Sequence, residues 1–466
     1  MSTTYDLAVI GAGSAGFSAA ITAAEQGATV ALIGKGTIGG TCVNVGCVPS
    51  KTLLRAAEDV HNGNAAARFQ GVEGNVDIAD WAALVAQKDG LVDAMRKAKY
   101  EDLLGEYANI DYREGWAKFN GAGLTVDDTP LAAGKVLIAS GSTALAPDIA
   151  GIEDVEWIDS TAALELTTLP NSMIVIGGGY IGCELAQLFA RAGVAVTLVC
   201  RSHLLPGTEP EIGAALASAF ADEGIEVLQG VSYQSVEHVP GSTNLNLVTA
   251  NGQSRTIAAE VLLSAAGRSA NSAGMGLESA GVEIDNAGAI QVDQHLRTTN
   301  PDIYAAGDVT GRDMFVYMAA YGARLGAKNA LGGSEDYSAN AMPAVAFTDP
   351  QAACVGLTEQ AAIAQGLKVR TSVLPLEHLP KAQAARDTRG LYKLVAEVGS
   401  NRLLGAHILA NGAGDTIQTA ALAIKAGMGI EDLANSVFPY LTAVEGLKLA
   451  AQTFDKDVSK LSCCAG

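Results

Sequence analysis

The feature that most constrains the fold is a unit of strand, glycine loop, helix and strand that occurs twice. The first copy runs from the apolar residues 7–10 through Gly11, Gly13 and Gly16 to the apolar residues 29–33. The second copy has residues 173–176, then Gly177, Gly179 and Gly182, a helical stretch to Ala192, and residues 196–199. A glycine loop between a strand and a helix is typical of a dinucleotide-binding fold.

Each glycine of such a loop has a physical reason. The first permits a tight turn, the second lets the backbone approach a pyrophosphate, and the third lets the helix pack on the strand. The helix N-terminus then stabilises the phosphates. Two such loops indicate two bound dinucleotides, and hydride transfer between a nicotinamide and a flavin is the commonest chemistry that needs both.

Charge and hydropathy exclude several other classes of protein. The 466 residues include 50 acidic and 30 basic side chains, a net charge of −20, which repels nucleic acid and anionic membrane surfaces. The N-terminus lacks the pattern of a secretory signal, and no apolar run is long enough to span a bilayer. We therefore expect a cytoplasmic protein without nucleic-acid or membrane partners.

The chain is too long for one core, and we expect several domains. Residues 146–151 read as a linker, and a strand that ends at Gly307-Asp308 precedes the helical residues 315–330. The predicted fold is α/β: two Rossmann-like dinucleotide-binding domains, in the ranges 1–150 with 273–340 and 151–272, and a C-terminal α+β domain in the range 341–466.

Cys42 and Cys47 form the most specific motif, Gly-Gly-Thr-Cys-Val-Asn-Val-Gly-Cys-Val-Pro-Ser-Lys, which ends at Lys51. No further Cys/His pair accompanies them, as a zinc site would require. Pro49 favours a helix start, where the helix dipole stabilises a thiolate at Cys47. The motif predicts a redox-active disulfide, although two buried cysteines that serve as small apolar residues stay an alternative.

The cysteine motif, both glycine loops and residues 299–308 together resemble the pyridine nucleotide-disulfide oxidoreductase family over essentially the whole chain. The resemblance implies a homodimer with bound FAD, in which NAD(P)H reduces the flavin and the flavin reduces the disulfide. It assigns the ranges 1–150 and 273–340 to FAD binding, 151–272 to NADPH binding, and 341–466 to dimerisation. It makes Cys42 the interchange thiol, places Cys47 against the flavin, and sets Asp308 on the ribityl chain.

Further site residues follow from the same resemblance. Lys51 would pair with Glu184 near the flavin, and Tyr180 would cover the nicotinamide; a surface salt bridge and helix-start packing are the alternatives. The cofactor residues expected for FAD are Gly11, Gly13, Gly16, Gly40, Thr41, Lys51, Gly141 and Asp308. Those expected for the nicotinamide dinucleotide are Gly177, Gly179, Gly182, Arg201 and Gly267.

The C-terminal region departs from the disulfide reductases of this family, which carry a His five residues before a Glu. Here Glu445 is present, but the position of the His is Tyr440. A phenol with a pKa near 10 is a poor proton shuttle at neutral pH. A disulfide reductase with an atypical acid/base stays an alternative.

The chain ends in the adjacent cysteines Cys463 and Cys464, which suit a soft cation such as Hg(II) better than a strained mutual disulfide. With Cys42, Cys47 and Tyr440 they resemble the mercuric reductases of the family. The resemblance implies that Cys463 and Cys464 of one subunit pass Hg(II) to Cys42 and Cys47 of the other, and that reduction gives Hg(0). A non-enzymatic thiol protein that binds soft metals is a further alternative.

The residues at the ends of two strands affect which nucleotides the chain is expected to bind. After residues 196–199 the chain offers Arg201 instead of an acid, which favours the 2′-phosphate of NADPH. Gly34 stands where the family has a Glu for the FAD ribose, which puts the FAD affinity in question. Cys183, Cys200 and Cys354 are expected in the core. We expect the chain to be the catalytic core alone, without the N-terminal C-x2-C domain that many mercuric reductases carry.

Overall fold

A computed structural model describes residues 4–121 and 123–458. They divide into two compact units. Unit 1 comprises the part up to Thr52 with Ala83–Leu145 and Gly267–Ala339. Unit 2 comprises Leu53–Ala82, Ala146–Ala266 and the part from Asn340 onward. The predicted division into four sequence ranges, three for the cofactors and one for dimerisation, stays a prediction.

The secondary structure alternates between strands and helices along most of the chain. The strands are β1 (Thr4–Ile10), β2 (Val30–Gly34), β3 (Ile110–Glu114), β4 (Ala117–Asn120), β5 (Gly123–Val126), β6 (Thr129–Ile138), β7 (Ser142–Ala144), β8 (Ser172–Ile176), β9 (Ala195–Cys200), β10 (Glu226–Gln229), β11 (Ser232–Val239), β12 (Ser242–Val248), β13 (Ser254–Ala259), β14 (Val261–Ser264), β15 (Arg268–Ala270), β16 (Ile303–Ala305), β17 (Pro343–Ala346), β18 (Gln351–Gly356), β19 (Val369–Pro375), β20 (Leu391–Glu397) and β21 (Leu403–Ala410). The helices are α1 (Ser14–Glu25), α2 (Gly40–Val45), α3 (Cys47–Asn64), α4 (Trp81–Arg96), α5 (Asp102–Leu104), α6 (Ser160–Leu164), α7 (Tyr180–Arg191), α8 (Pro210–Asp222), α9 (Val316–Ala330), α10 (Glu359–Ala364), α11 (Pro380–Ala385), α12 (Ala413–Lys425), α13 (Ile430–Asn435) and α14 (Glu445–Gln452).

Unit 1 is built around a sheet in the order β3-β2-β1-β6-β5-β4, with β16 on β6. Strands β3, β2, β1, β6 and β16 are parallel, and β4, β5 and β6 form an antiparallel meander. The central strands are buried because their residues are apolar on both faces, as parallel sheets require. Helices α1 and α9 pack on one of these faces.

Unit 2 contains a second parallel sheet, in the order β10-β9-β8-β14, beside the antiparallel sheet β11-β12-β13. Its C-terminal part is a five-stranded antiparallel sheet in the order β17-β18-β21-β20-β19. Residues of α12, α13 and α14 share a core with that sheet. Within unit 2, the guanidinium of Arg191 on α7 donates to Glu223 and to Asp349.

The predicted fold class is confirmed. Each unit contains a sheet with the parallel strands of a dinucleotide-binding fold, and a C-terminal α+β part is present. Both predicted glycine loops lie between a strand and a helix, at β1–α1 and β8–α7. None of the helices in the described residues is both long enough and apolar enough to cross a membrane.

Candidate active site

The first glycine loop is so crowded that two of its glycines have no room for a side chain. A Cβ at Gly11, where φ is +119°, would lie 2.2 Å from the carbonyl oxygen of Ala139. A Cβ at Gly16 would lie 1.6 Å from the carbonyl oxygen of Gly11. Helix α1 therefore packs directly against the turn that leaves β1.

The N-terminus of α1 fits a phosphate group. Gly13 caps the helix without a side-chain hydrogen bond, and the first turn contains no acidic residue. The first backbone N–H groups of the helix therefore face neither a capping side chain nor a carboxylate, and an anion can accept from them. These residues fit the pyrophosphate of a dinucleotide.

The second loop repeats this geometry in unit 2. A Cβ at Gly177, where φ is +120°, would lie 2.2 Å from the carbonyl oxygen of Ala265, and one at Gly182 would lie 1.8 Å from that of Gly177. At Gly179, by contrast, a Cβ would meet nothing within 4 Å. The first turn of α7 contains no acidic residue. This open N-terminus also fits a phosphate group.

The end of β9 places a basic residue beside the second loop. Arg201 directly follows β9 and is exposed. The thiol of the preceding Cys200 is buried and donates to the carbonyl of Ser202 at 3.2 Å. The expectation that Cys183, Cys200 and Cys354 are core residues is confirmed, since all three are buried.

The cysteine loop is joined by backbone contacts to the first glycine loop. The N–H of Gly39 donates to the carbonyl of Ala12 at 2.8 Å, and a Cβ at Gly40 would lie 2.6 Å from the Cα of Gly13. Gly39 and Gly40 both have positive φ, and Gly39 caps α2, which carries Cys42. The cysteine loop is therefore held directly against the first glycine loop of unit 1.

The thiols of Cys42 and Cys47 are half-buried in this structure. Cys47 is the first residue of α3, as the position of Pro49 predicts. The pKa of the Cys42 thiol is raised, first because it is hydrogen-bonded to Cys47 and then because it is buried, while Lys51 opposes the shift. The two sulfur atoms are thus close enough to interact, as a redox pair or a pair of metal ligands requires. Thr41 between the loops is exposed.

Asp308 is held by side chains from two neighbouring strands of unit 1. The hydroxyl of Ser142 on β7 donates to the carboxylate of Asp308 at 2.6 Å. The guanidinium of Arg268 on β15 donates to that hydroxyl and to the carbonyl of Ser142, both at 2.7 Å. Gly141 and Gly267, both at positive φ, come directly before Ser142 and Arg268. The structure thus places Gly267 beside the Asp308 group of unit 1.

Glu184 is a buried carboxylate on α7, and it accepts from the backbone N–H of Phe347 at 2.9 Å. Lys51 lies on α3 in unit 1, and its pairing with Glu184 stays a prediction. Tyr180 is the first residue of α7, and its hydroxyl lies 3.8 Å from the sulfur of Cys354. Its role over the nicotinamide stays a prediction as well.

A hydrogen bond links Glu445 to the residue that follows Tyr440. The carboxylate of Glu445, a buried residue at the start of α14, accepts from the N–H of Leu441 at 3.1 Å. The neighbouring Tyr440 is 47% exposed. Glu445 therefore fixes the turn that presents Tyr440. The predicted metal ligands Cys463 and Cys464 lie outside the described residues.

Comparison with known proteins agrees with this geometry. Residues 5–324 match the family model described as pyridine nucleotide-disulphide oxidoreductase, and residues 342–451 match the dimerisation domain of the same family. The chain belongs to this family. The predicted family and fold are confirmed, and the chain is an oxidoreductase that uses a flavin and a pyridine nucleotide. Residues 342–451 are its dimerisation domain.

Its relatives cover nearly the whole chain. It is 48% identical to a mercuric reductase of Staphylococcus aureus, over 99% of this chain and 84% of that protein. It is 46% identical to a mercuric reductase of Streptomyces lividans, over 100% of this chain and 99% of that protein. The solved Cu(II) complex of the HOCl-induced flavoprotein disulfide reductase RclA from Escherichia coli superposes with a TM-score of 0.85 at 29% identity, over 97% of this chain and 100% of that chain.

Sequence reasoning missed three residues that support the thiol pair in this family member. The amide of Asn44 donates to the carbonyls of Ile38 and Gly40, both at 2.9 Å, and accepts from the guanidinium of Arg96 at 3.1 Å. The hydroxyl of Tyr100 lies 3.1 Å from that of Ser14 in the first turn of α1. Asn44 lies within the cysteine motif, whereas nothing in the sequence around Arg96 or Tyr100 points to that motif.

Proposed function

We propose that this protein reduces Hg(II), held by two thiolates, to Hg(0) at the expense of NADPH. One hydride supplies the two electrons, both mercury–sulfur bonds break, and elemental mercury leaves. The two released thiolates take up two protons, one left from the hydride and one from solvent. NADP⁺ is the other product.

The observation that carries the proposal is the position of Cys42 and Cys47. Their sulfur atoms interact, and their loop is bonded through Gly39 to the phosphate-binding loop at Ala12. Two thiolates suffice to bind Hg(II), since a soft cation selects sulfur ligands. The relatives from Staphylococcus aureus and Streptomyces lividans, which are named mercuric reductases, match the chain along its whole length. This supports mercury as the substrate.

The cofactors proposed are FAD at the first glycine loop and NADPH at the second. A bound FAD supplies the two-electron chemistry that joins oxidation of the nicotinamide to reduction of the thiol-bound metal. The residues proposed to hold FAD are Gly11, Gly13, Gly16, Gly40, Thr41, Lys51, Gly141 and Asp308. For NADPH we propose Gly177, Gly179, Gly182, Arg201 and Gly267, and the exposed guanidinium of Arg201 supports a 2′-phosphate. Residues 1–150 and 273–340 form the proposed FAD-binding domain, 151–272 the NADPH-binding domain and 341–466 the dimerisation domain.

The working enzyme is a homodimer in this proposal, which the dimerisation domain supports. Cys463 and Cys464 of one subunit capture Hg(II) and pass it to Cys42 and Cys47 of the other. Tyr440, on the turn that Glu445 holds, contributes to the same shared site. We place the enzyme in the cytoplasm, where NADPH is made.

The Cys42–Cys47 hydrogen bond affects the protonation of the thiol pair before and after a metal binds. A raised pKa keeps Cys42 protonated at neutral pH, so the resting pair carries fewer than two negative charges. Metal binding requires both sulfurs as thiolates and therefore releases the proton of Cys42. Lys51, which lowers the pKa of Cys42, favours that release.

The histidines of the C-terminal part do not favour the alternative of a disulfide reductase. His407 is buried at 1% exposure, and it lies 3.4 Å from the N–H of Glu209 and 3.3 Å from the carbonyl of Leu357. Burial lowers its pKa, so it is not the charged acid that protonates a departing thiolate. His378 lies 3.4 Å from the carboxylate of the adjacent Glu377.

The test measures NADPH oxidation and mercury vapour together. Purified protein with NADPH and cysteine-complexed Hg(II) should consume one NADPH for each Hg(0) that is released. Cys42→Ser and Cys47→Ser should each abolish vapour release, whereas Arg255→Met, which breaks an exposed ion pair with Glu226, should leave it unchanged. Vapour release by the Cys42→Ser/Cys47→Ser double variant would contradict the proposed site.

The same assay separates the alternatives. NADPH oxidation with glutathione disulfide or lipoamide, and none with Hg(II), would identify a disulfide reductase. A colourless protein that binds Hg(II) without oxidising NADPH would identify a non-enzymatic soft-metal protein. A flavin spectrum with mercury-dependent turnover supports the proposal.

A further inference from the structure

The adenosine side of the proposed FAD site differs from the usual design of this fold. A dinucleotide fold ordinarily ends its second strand in an acidic residue that holds the ribose hydroxyls. In unit 1 that strand is β2, and it ends in Gly34. The lost carboxylate raises the question of what group takes its place.

A glycine is needed at position 34 because a side chain would clash there, and not because the backbone conformation demands it. It is absent from the residues with positive φ, so another residue could adopt its backbone angles. A Cβ at this position, however, would lie 2.6 Å from the Cβ of Ala12 in the glycine loop. It would also lie 2.9 Å from the hydroxyl oxygen of Tyr112. The end of β2 is therefore occupied by a phenol that comes from a different strand.

Strand β3 brings that phenol into place. It runs parallel to β2, with Leu32 beside Tyr112 and Gly34 beside Glu114. Tyr112 is half-buried, and no residue in the described part of the chain is hydrogen-bonded to its hydroxyl. A phenol at the end of the second strand, beside the phosphate-binding loop, thus has its hydrogen-bonding capacity free for a ligand.

The protonation state of this phenol suits a sugar. Burial, and then the charge of Glu114, raise the pKa of Tyr112, so the hydroxyl stays protonated at neutral pH. A protonated phenol can both donate and accept, which is what a pair of ribose hydroxyls needs. A carboxylate at position 34 could only accept.

We infer that Tyr112 replaces the missing strand-end carboxylate as the residue that recognises the adenosine ribose of FAD, and that Gly34 provides the space for its hydroxyl. The inference rests on the proposed function, because it takes unit 1 as the flavin site. It makes Tyr112 a specificity residue for the dinucleotide and gives it no part in the redox chemistry.

The internal repeat of the chain supports this reading of Gly34. Gly11 and Gly177 donate to the carbonyls of Ile33 and Val199, so Gly34 and Cys200 occupy equivalent strand ends. In unit 2 the glycine is in the loop: a Cβ at Gly178 would lie 2.9 Å from the sulfur of Cys200. In both units the glycine loop and the end of the second strand are so close that only one of the two can carry a side chain at this point. In unit 2 the strand end carries it, as Cys200, whereas in unit 1 the loop carries it, as Ala12, and the strand end is Gly34.

The experiment measures binding of FAD to the flavin-free protein by quenching of flavin fluorescence. Tyr112→Phe should weaken FAD binding roughly two- to tenfold, the effect of one hydrogen bond. It should not change binding of an FAD analogue built on 2′,3′-dideoxyadenosine, which lacks the ribose hydroxyls. Tyr107→Phe is the matched control, since the hydroxyl of Tyr107 donates to the carboxylate of Glu25 at 3.5 Å, and this variant should bind both ligands like the unchanged protein.

A second variant restores the usual design. Ala12→Gly, Gly34→Glu and Tyr112→Phe together provide room and a carboxylate at the end of β2, and this triple variant should bind FAD more tightly than Tyr112→Phe alone. Gly34→Glu by itself should weaken binding, because its Cβ meets Ala12 and Tyr112. Circular dichroism of each flavin-free variant checks that it is folded.

The outcomes separate the two proposals. Unchanged protein that binds no FAD would overturn the proposed flavin site and this inference with it. FAD binding by the unchanged protein, with equal affinity in Tyr112→Phe, would overturn the role of Tyr112 alone. Equal losses for FAD and the dideoxy analogue would also overturn it, because the effect would then not depend on the ribose.

Discussion

A buried lysine offers the strongest test of how unit 2 is stabilised. The ammonium of Lys393 on β20 donates to the carboxylates of Glu209 at 3.0 Å, Glu211 at 2.8 Å and Glu359 at 3.1 Å. Lys393 is 3% exposed and Glu209 is 2% exposed. Lys393→Met keeps much of the apolar stem and removes only the charge and its hydrogen bonds.

The expected loss is large because one partner stays buried. Without the ammonium, the carboxylate of Glu209 remains in the interior without its cation, and breaking a buried ion pair in this way costs about 3–5 kcal/mol. A whole domain is stable by only about 5–15 kcal/mol. The change should therefore be visible as an earlier transition of unit 2 in urea, followed by tryptophan fluorescence and circular dichroism.

An exposed pair serves as the control. Arg255 and Glu226 form a 2.7 Å ion pair in which both side chains are 41% exposed. Pairs of this kind contribute about 0–1 kcal/mol, so Arg255→Met should shift the transition little. Equal shifts for Lys393→Met and Arg255→Met would refute the argument that burial sets the magnitude.

The loss should also depend on pH. Burial, the largest single effect, would raise the pKa of Glu211, but the hydrogen bond to Lys393, a backbone hydrogen bond and the positive charge of Lys393 together lower that pKa. A lowered folded-state pKa stabilises the native protein above the unfolded value, near 4.5, and this contribution is lost as the pH falls through the folded value. The difference between unchanged protein and Lys393→Met should therefore stay constant from neutral pH down to about pH 5 and shrink as the pH falls below about 4.5.

Other substitutions test the glycine loop, a helix and the C-terminal turn. Gly182→Ala forces a Cβ to within 1.8 Å of the carbonyl oxygen of Gly177, so α7 must move and NADPH affinity, measured by titration, should fall by at least roughly tenfold. Gly90→Ala lies in α4 with nothing within 4 Å of the new Cβ, so it should raise the free energy of unfolding by about 0.5–1 kcal/mol. Glu445→Ala removes the acceptor of the Leu441 N–H and should slow mercury turnover roughly two- to tenfold, whereas Glu445→Gln keeps an acceptor oxygen and should retain most of it.

The glycine loops could be predicted from the sequence because their cause is local. A strand, three glycines at fixed spacing and a helix lie within about twenty residues, and the first and third glycines of each loop lie against a backbone carbonyl of the same unit. Gly16 and Gly182, for example, each face the carbonyl of the first glycine in their own loop. The start of α3 at Cys47 was predictable for the same reason, since Pro49 lies two residues away.

The residues that support the site and the fold could not be predicted, because their hydrogen-bond partners are distant in sequence. Arg96 reaches Asn44 across 52 residues, and Tyr100 reaches Ser14 across 86. Lys393 reaches Glu209 across 184. A lone Arg, Tyr or Lys within a helix or strand shows no pattern that identifies such a partner, so only the folded chain reveals these contacts.

Gly34 shows the same limit of prediction from sequence, because the residue that compensates for it is also distant in sequence. Read alone, a glycine at the end of β2 indicates a weakened FAD site, because the expected carboxylate is missing. The folded chain shows that the space is filled by Tyr112 from the parallel neighbour β3, so a lost side chain on one strand is matched by a polar group from the next. Since the strand-end position faces both the loop and the adjacent strand, any of three chain segments can supply the ribose contact. The ribose-binding residue of this fold therefore has to be identified from the folded chain, because β1, β2 and β3 all reach the same point and any of them can supply it.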